Sequence, residues 1–331
     1  MTDTSAELTV DEHLREDEWF DSISRDCVDG LTSDPKWLSP VWFYDEVGSR
    51  LFDEITKLDE YYPTRAEASL LADHAAEIIE RSGADTLVEL GSGTSDKTEH
   101  LLDALDATGT LERYVPFDVS GETVRNAADR LIDRYPGLRI HAVVGDFHRH
   151  LGEIPQVGRR LVAFLGGTIG NLSPGERSPF LRDLASTMSD DDHLLLGCDL
   201  VKDHETLVTA YDDPSGVTAE FNRNALRHAN SRLGADFVPE NFEHRAVWNG
   251  QDAWIEMRLR STVDQDVDLG SLDTTVHFEA GEELRTEISA KFTPARIDAE
   301  LTDAGFVVVA MWTAEPGYLL TLARRSITRQ E

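Results

Sequence analysis

Five short apolar segments alternate with stretches of helical character between residues 85 and 201. The segments are TLVEL (86–90), YVPFDV (114–119), IHAVVGD (140–146), RLVAFLGG (160–167) and HLLLGCDLV (193–201). Between them lie DKTEHLLDAL, SGETVRNAADRLIDRY and SPFLRDLASTM, which have the length and periodicity of helices. Strands that alternate with helices predict βαβ units, with right-handed crossovers and a parallel sheet covered on both faces.

The alternation stops after Val201, which indicates a second domain. Helical segments (ETLVTAY, VTAEFNRNALRHANSRL) and strand-like segments (AWIEMRLRSTV, TTVHFEA) occupy residues 202–290. A helix over 295–306 and a hairpin formed by VVVAMWT and YLLTLAR then complete the sheet edge. We predict an α/β protein with a doubly wound, Rossmann-like domain (65–201 plus 291–326) and a smaller α+β domain (13–64 plus 202–290). Residues 1 to about 12 are polar, and we expect them to be loose.

Charge excludes several kinds of partner. The chain has 63 acidic and 31 basic residues, a net charge of −32, which disfavours nucleic acid and anionic membranes. Few of the basic residues are lysines: Lys36, Lys57, Lys97, Lys202 and Lys291. We interpret this acidic, lysine-poor surface as an adaptation to concentrated salt, the alternative being an ordinary acidic enzyme.

The sequence lacks the features that would indicate a disulfide-rich, zinc-binding, membrane or secreted protein. Cys27 and Cys198 are the only cysteines, too few for a disulfide framework or a zinc site. No apolar run approaches the ~18 residues that span a bilayer, and the acidic N-terminus lacks the features of a signal peptide. We therefore predict a cytoplasmic protein. We also expect it to be a monomer and to need no metal.

The first apolar strand ends in a glycine turn, VELGSGT, where Gly91 and Gly93 allow a sharp bend and bring a ligand close to main-chain N–H groups. The third glycine of a dinucleotide fingerprint is absent, because Asp96 stands at its position. This pattern disfavours a nicotinamide dinucleotide and suits S-adenosylmethionine, which has no phosphate to bind. The alternative is a tight structural turn.

Polar residues at the following strand ends extend this predicted site. Asp118 is placed to bind both ribose hydroxyls, or else to cap the helix that begins near Ser120. Asp146 can accept from an adenine amino group with Phe147 packed on the ring, or the pair can be a turn aspartate beside a core phenylalanine. Lys97 can reach the methionine carboxylate, or can be solvated or salt-bridged.

Six segments together resemble the histidine-specific N-alpha-methyltransferases of ergothioneine biosynthesis: VELGSGTSDKT, YVPFDVSGE, HAVVGDF, FLGGTIGNL, AYDDPSGVTAEFNRN and LRTEIS. The resemblance runs from about residue 37 to residue 325. It implies a Rossmann-like class I methyltransferase fold with an added substrate domain. It also implies transfer of three methyl groups from S-adenosylmethionine to the alpha-amino nitrogen of L-histidine, giving hercynine.

The segment FLGGTIGNL follows the fourth strand and should lie near the transferred methyl group. Gly166 allows close approach, and Thr168 contacts either ligand or supports the loop. The resemblance implies that Asn171 contacts the alpha-amino and carboxylate groups of the substrate, whereas an isolated Asn before Ser173 could equally be a turn residue.

Aromatic residues complete the substrate site that the resemblance implies. Tyr61 and Tyr211 match carboxylate-binding tyrosines, Tyr44 matches an aromatic near the imidazole, and Met257 matches an apolar wall. Each could instead be a packing residue. Together with Asn171, Tyr61 is predicted to act at the reacting amine, because its ring can stabilise the positive charge of the product.

Glu287 and Ser289 alternate along LRTEIS, so they share one face if this segment is a strand. A carboxylate beside a hydroxyl suits the two nitrogens of an imidazole. The alternative is an exposed glutamate on an acidic strand.

The sequence also allows three other functions: an N-methyltransferase of the same fold for another amino acid or small amine, a dinucleotide oxidoreductase, and a non-catalytic binding module. Glu287 and Ser289 argue against the first, the missing third glycine against the second, and the full set of ligand-type residues against the third.

Overall fold

A computed structural model of the chain describes residues 7–93 and 97–326. They divide into two compact units. The first unit contains the residues up to Arg15, Arg65–Leu200 and the chain from Phe292 onward. The second unit contains Glu16–Thr64 and Val201–Lys291.

The described residues form nine α-helices and thirteen strands. The helices are α1 (Glu16–Thr32), α2 (Glu46–Ile55), α3 (Pro63–Ser82), α4 (Glu99–Thr108), α5 (Gly121–Arg134), α6 (Pro174–Thr187), α7 (His204–Thr209), α8 (Val217–Leu233) and α9 (Pro294–Asp303). The strands are β1 (Glu7–Glu12), β2 (Thr86–Leu90), β3 (Arg113–Asp118), β4 (Arg139–Val144), β5 (Arg160–Phe164), β6 (His193–Asp199), β7 (Phe242–Asn249), β8 (Trp254–Ser261), β9 (Gln265–Asp268), β10 (Thr275–Phe278), β11 (Glu283–Ala290), β12 (Phe306–Ala314) and β13 (Tyr318–Arg325).

The first unit is built on an eight-stranded sheet with the order β1-β4-β3-β2-β5-β6-β13-β12. The strands from β1 to β6 are parallel, whereas β13 runs antiparallel to β6 and pairs with β12 as the predicted edge hairpin. Every residue of β2 and β5 is buried, so the sheet is covered on both faces. The doubly wound α/β prediction is therefore confirmed.

The strand order reverses between β2 and β5, since β3 and β4 lie on one side of β2 while β5 and β6 continue on the other. In open α/β sheets such a switch point leaves a crevice at the carboxyl ends of the strands, where ligands bind. The segments after β2 and β5 are the two glycine-containing segments that the sequence analysis assigned to ligands.

The prediction of a loose N-terminus is wrong for residues 7–12. They form β1, which pairs in parallel with β4 from Glu7↔Arg139 to Glu12↔Val144. Its six residues, ELTVDE, include only two apolar side chains. The strand is ordered through main-chain hydrogen bonds to a partner more than a hundred positions away, which composition does not reveal.

The second unit is α+β. A three-stranded antiparallel sheet, β11-β8-β7, and a two-stranded one, β10-β9, accompany helices α1, α2, α7 and α8. Its hydrophobic core includes Trp42, Phe43, Phe221, Phe242 and Phe278. Helix α2 begins at the N-cap Asp45, whose carboxylate accepts the Gly48 N–H at 2.7 Å.

Within residues 7–93 and 97–326, none of the helices combines the length and the apolar character that crossing a bilayer requires.

Candidate active site

The glycine turn after β2 has the backbone geometry expected from its sequence. Gly91 and Gly93 have φ angles of +71° and +48°, in the left-handed region that L side chains rarely adopt. Among the described residues, no atom lies within 4 Å of a Cβ built at either position, so conformation rather than crowding requires glycine. The space beside the turn suits a ligand. Asp96, on which the argument against a dinucleotide depends, lies outside the described residues.

Asp118, the last residue of β3, holds this turn in place. Its Oδ2 accepts the Gly93 N–H at 3.0 Å and its Oδ1 accepts the Ser120 N–H at 3.0 Å. Ser120 is itself the N-cap of α5. Withdrawal from water raises the pKa of Asp118, against the lowering effect of these N–H donors. The carboxylate therefore both orders the turn and provides a desolvated acceptor at the strand end.

Asp146 and Phe147 lie just beyond β4, which ends at Val144 and not at residue 146 as predicted. The Asp146 carboxylate accepts the His148 N–H at 2.9 Å, which closes a local turn after the strand. The Phe147 ring is 5.5 Å from that of Phe180. These contacts match the alternative of a turn aspartate beside a packed phenylalanine. A contact of either residue with adenine stays a prediction.

The sequence analysis did not identify Glu67, a buried carboxylate that bonds both Lys97 and the loop at Gly166. Glu67, on α3, forms an ion pair with Lys97, and both of its carboxylate oxygens accept the Gly166 N–H, at 2.8 and 3.0 Å. Glu67 also accepts the Tyr318 hydroxyl at 2.7 Å. Lys97 is thus salt-bridged, as one alternative had it, and lies beside the loop that contains Thr168.

The loop after β5 turns through two glycines with positive φ, Gly166 at +75° and Gly167 at +69°. A short 3-10 helix, Thr168–Asn171, follows. The Thr168 hydroxyl donates to the Leu165 carbonyl at 3.0 Å, so it supports the loop. Asn171 is half-buried at the end of this helix.

The predicted aromatic residues of the second unit form a connected series. The Tyr44 ring lies 6.0 Å from that of Phe52, which lies 6.2 Å from that of Tyr61, which in turn lies 6.1 Å from that of Tyr211. All three contacts are edge-to-face, the favoured arrangement for aromatic pairs. Tyr61 and Tyr211 are buried, whereas Tyr44 is 51% exposed.

Strand β11 presents Glu287 and Ser289 on one face, and its antiparallel partner β8 places Met257 directly opposite Glu287. Opposed residues of an antiparallel pair lie on the same face, so these three side chains share one surface. Glu287 is half-buried, and Met257 and Ser289 are buried.

A lysine that sequence analysis did not assign connects two of these groups. The Tyr211 hydroxyl and the Ser289 hydroxyl are hydrogen-bonded at 2.8 Å. The Lys291 ammonium donates to both oxygens, each at 2.9 Å. Ser289 therefore bonds to Tyr211 and also shares a strand face with Glu287.

A second polar network holds the backbone of Tyr211. His244 is buried in β7 and its Nε2 donates to the Tyr211 carbonyl at 2.8 Å. Its Nδ1 accepts from Asn222, whose side-chain oxygen accepts the Thr286 hydroxyl at 2.7 Å. This assignment requires a neutral imidazole, because a proton on Nδ1 would face the Asn222 amide donor.

Burial lowers the pKa of His244 from its ordinary 6.5 and outweighs the opposite effects of the Tyr211 carbonyl and Asp212. The unfolded state therefore binds the proton more readily, so the neutral histidine stabilises the fold above pH 6.5 and loses this effect as the pH falls. In urea unfolding between pH 8 and pH 5, we expect wild type to lose up to about 1.4 kcal/mol per pH unit more than His244→Gln below pH 6.5. Parallel pH profiles for the two proteins would contradict this assignment.

The strand order, the switch point between β2 and β5, the glycine turn and the Asp118 carboxylate define the first unit as a Rossmann-like ligand-binding domain. A family described as "Histidine-specific methyltransferase, SAM-dependent" matches residues 23–325. The chain belongs to this family.

Named relatives agree with the family match. Histidine N-alpha-methyltransferases of Mycobacterium tuberculosis and Mycolicibacterium smegmatis are each 53% identical to this chain, over 96% of it and 99% of each relative. Ergothioneine biosynthesis protein 1 of Neurospora crassa is 30% identical over 88% of this chain and 33% of that protein.

Proposed function

We infer that this protein transfers three methyl groups from S-adenosylmethionine to the alpha-amino nitrogen of L-histidine. The product is N-alpha-trimethylhistidine, or hercynine, an intermediate of ergothioneine biosynthesis. The family match over nearly the whole chain carries this inference.

The residues proposed to bind ligands fall into two groups. Those proposed for S-adenosylmethionine lie at the ends of strands of the first unit or in the segments that follow them: Gly91, Gly93, Lys97, Asp118, Asp146, Phe147 and Thr168. Those proposed for histidine are Tyr44, Tyr61, Gly166, Asn171, Tyr211, Met257, Glu287 and Ser289. The open glycine turn and the desolvated Asp118 acceptor support the first group, and the shared face of Glu287 and Ser289 supports the second.

The reaction is a direct displacement. The lone pair of a neutral amine attacks the methyl carbon, a nitrogen–carbon bond forms, and the sulfur–carbon bond breaks to leave S-adenosylhomocysteine. The amine loses a proton before each of the three transfers, which is accessible in water because a free alpha-amino group titrates near pH ~8. The third transfer leaves a quaternary ammonium ion.

Because the methyl sulfonium is already activated, the protein contributes chiefly by positioning. Holding the nitrogen in line with the methyl group supplies up to ~7–11 kcal/mol in good cases. Asn171 is proposed to orient the amine, and the Tyr61 ring to stabilise the growing positive charge by cation–π attraction. The proposed mechanism uses no metal.

Mass spectrometry of L-histidine incubated with protein and S-adenosylmethionine tests the function. We expect successive gains of one, two and three methyl groups, ending in the trimethylated product. A parallel panel of other amino acids and small amines tests the alternative substrate class. Methylation of another amine, with histidine unchanged, would overturn the substrate assignment and leave the reaction type intact.

Calorimetry gives an independent test of the co-substrate. We expect S-adenosylhomocysteine to bind and NAD to give no heat signal under the same conditions. The opposite result would overturn the methyltransferase assignment. The cytoplasmic location, the monomeric state and the adaptation to salt stay predictions from the sequence.

A further inference from the structure

A buried arginine holds the far end of the loop between β5 and α6, the loop that contains Asn171. Arg177 lies near the start of α6, and its relative exposure is 1%. Its Nη1 donates to the main-chain carbonyl of Leu172 at 2.7 Å, one residue beyond Asn171. A guanidinium group withdrawn from water is costly unless a charged partner and hydrogen bonds compensate it, so the position of Arg177 requires an explanation.

The guanidinium plane of Arg177 is fixed by Glu300, on α9. Its Nε and Nη2 donate to the two carboxylate oxygens of Glu300 at 2.6 and 2.9 Å, the bidentate arrangement that suits this pair of groups. Arg296 donates to the same carboxylate at 2.9 Å, and the Phe292 ring centre lies 4.9 Å from the Arg177 guanidinium carbon. Burial raises the pKa of Glu300, but the bonds and charges of Arg177 and Arg296 outweigh it and lower the pKa overall, so the carboxylate stays ionised.

A fixed guanidinium plane also fixes the direction of its remaining donors. The N–H groups of arginine lie in one rigid fork, so once Nε and Nη2 are bonded to Glu300, Nη1 can reach an acceptor only in the plane of that fork. The acceptor in this position is the Leu172 carbonyl. Leu172 follows the short 3-10 helix Thr168–Asn171, and a carbonyl at a helix end lacks a partner within the helix. Arg177 therefore determines where this end of the loop lies.

The near end of the same loop is held by Glu67, which accepts the Gly166 N–H. Gly166 and Gly167 turn the chain with positive φ, and glycine restricts the backbone less than any other residue. The glycine turn therefore does not by itself fix the path of the loop. The two buried charged side chains, Glu67 before Asn171 and Arg177 after it, supply the anchors.

We propose that Arg177 is a positioning residue for Asn171. It acts through the Leu172 carbonyl and holds Asn171 where the amine of the substrate is to be oriented. This inference rests on the proposed function, because Asn171 is itself proposed to orient the amine of histidine. A role of Arg177 in stability alone makes a different forecast, since its replacement would then weaken the fold without a selective effect on histidine.

The test compares turnover of histidine with binding of the co-substrate product. The ratio kcat/KM for histidine is measured with saturating S-adenosylmethionine, and affinity for S-adenosylhomocysteine is measured by calorimetry, both at a temperature where each variant is folded. In Arg177→Met we expect kcat/KM for histidine to fall about tenfold or more, because a displacement of about 1 Å can cost ~100-fold in rate. Affinity for S-adenosylhomocysteine should change little. Arg177→Lys, which keeps the charge but has no fork to bond Glu300 and Leu172 together, provides the same comparison if Arg177→Met does not fold.

Arg160→Met is the matched control. Arg160 is also a buried arginine of the first unit, and its Nε and Nη2 donate to the Asp192 carboxylate while Nη2 donates to the Thr187 main-chain carbonyl at 2.8 Å. It has the same kinds of partner as Arg177, but it lies at the start of β5, at the opposite end of that strand from the loop. Its replacement should destabilise the fold and leave kcat/KM for histidine close to wild type.

A double-mutant cycle with Asn171→Ala tests the route of the effect. If Arg177 acts by placing Asn171, its replacement should lower kcat/KM for histidine less in the Asn171→Ala background than in wild type. A loss of the same size in both backgrounds would overturn the proposal. Unchanged kcat/KM in Arg177→Met, or equal losses in Arg177→Met and Arg160→Met, would show a merely structural role and would also overturn it. A wild type that binds S-adenosylhomocysteine but does not methylate histidine would instead overturn the proposed function.

Discussion

Replacing Glu67 by alanine is expected to lower the free energy of unfolding by about 3–5 kcal/mol, the range for removing one partner of a buried ion pair. The Glu67 side chain is fully buried. Its loss would leave the Gly166 N–H, the Tyr318 hydroxyl and the Lys97 ammonium without this acceptor. It would also open a cavity beside Gly197, where a Cβ would lie 2.2 Å from a Glu67 carboxylate oxygen.

Urea unfolding of wild type and Glu67→Ala measures the loss. Glu80→Ala is the control, because Glu80 is an exposed glutamate on the same helix and its replacement should change stability by no more than ~0.5 kcal/mol. A Glu67→Ala variant as stable as the control would show that the cluster around this carboxylate contributes little to the fold.

Glu67→Gln separates charge from packing. Glutamine keeps the volume and one acceptor oxygen, but it no longer neutralises Lys97. Because Glu67 bonds both Lys97 and the loop at Gly166, which belong to the proposed cofactor and substrate sites, we expect this variant to bind S-adenosylhomocysteine more weakly even where it remains folded. Unchanged binding would limit Glu67 to a structural role.

The sequence predicted well those strands and hairpins whose bounds depend on residues close together in the chain. Strand β2 has the predicted bounds, and the edge hairpin β12–β13 was predicted with its antiparallel pairing. Their bounds follow from signals close in sequence, such as the mainly apolar segment TLVEL, which ends at Leu90 just before the turn at Gly91. The end of β4 was misplaced by two residues, because the Asp146 carboxylate closes a turn by bonding to the His148 N–H.

The groups that sequence analysis missed depend on distant partners. Glu67 lies 99 residues from Gly166 and 251 from Tyr318, and Lys291 lies 80 residues from Tyr211. A charged residue in a helical or strand segment is usually solvent-exposed, so a single sequence favours the surface for both Glu67 and Lys291. Only the folded chain shows that each is buried among polar partners.

Glu287→Ala is expected to reduce histidine affinity at least tenfold while leaving affinity for S-adenosylhomocysteine nearly unchanged. A hydrogen bond to a charged group contributes ~1.5–3 kcal/mol, and ~1.4 kcal/mol corresponds to a factor of ten. If the Glu287 carboxylate accepts an imidazole N–H, its removal also leaves that donor without a partner in the complex. The half-buried position of Glu287, opposite the buried Met257, is consistent with this role.

Glu283→Ala is the matched control for this prediction. Glu283 is a half-buried glutamate of the same strand, and its carboxylate bonds Arg258 at 2.5 Å. Removing it takes away a carboxylate and an ion pair from β11 without touching the proposed site. Histidine affinity of this variant should therefore remain close to wild type.

The decisive measurement is the selectivity of Glu287→Ala. A site built to hydrogen-bond a substrate N–H rejects analogues that lack it, because its own polar group would be left unpaired. Titrating histidine and an amino acid of similar shape without the N–H into each protein, saturated with S-adenosylhomocysteine, measures this preference. We expect wild type and Glu283→Ala to prefer histidine strongly and Glu287→Ala to lose most of that preference. Equal preferences in all three proteins would remove Glu287 from the imidazole site, and selection for histidine would then have to come from other residues.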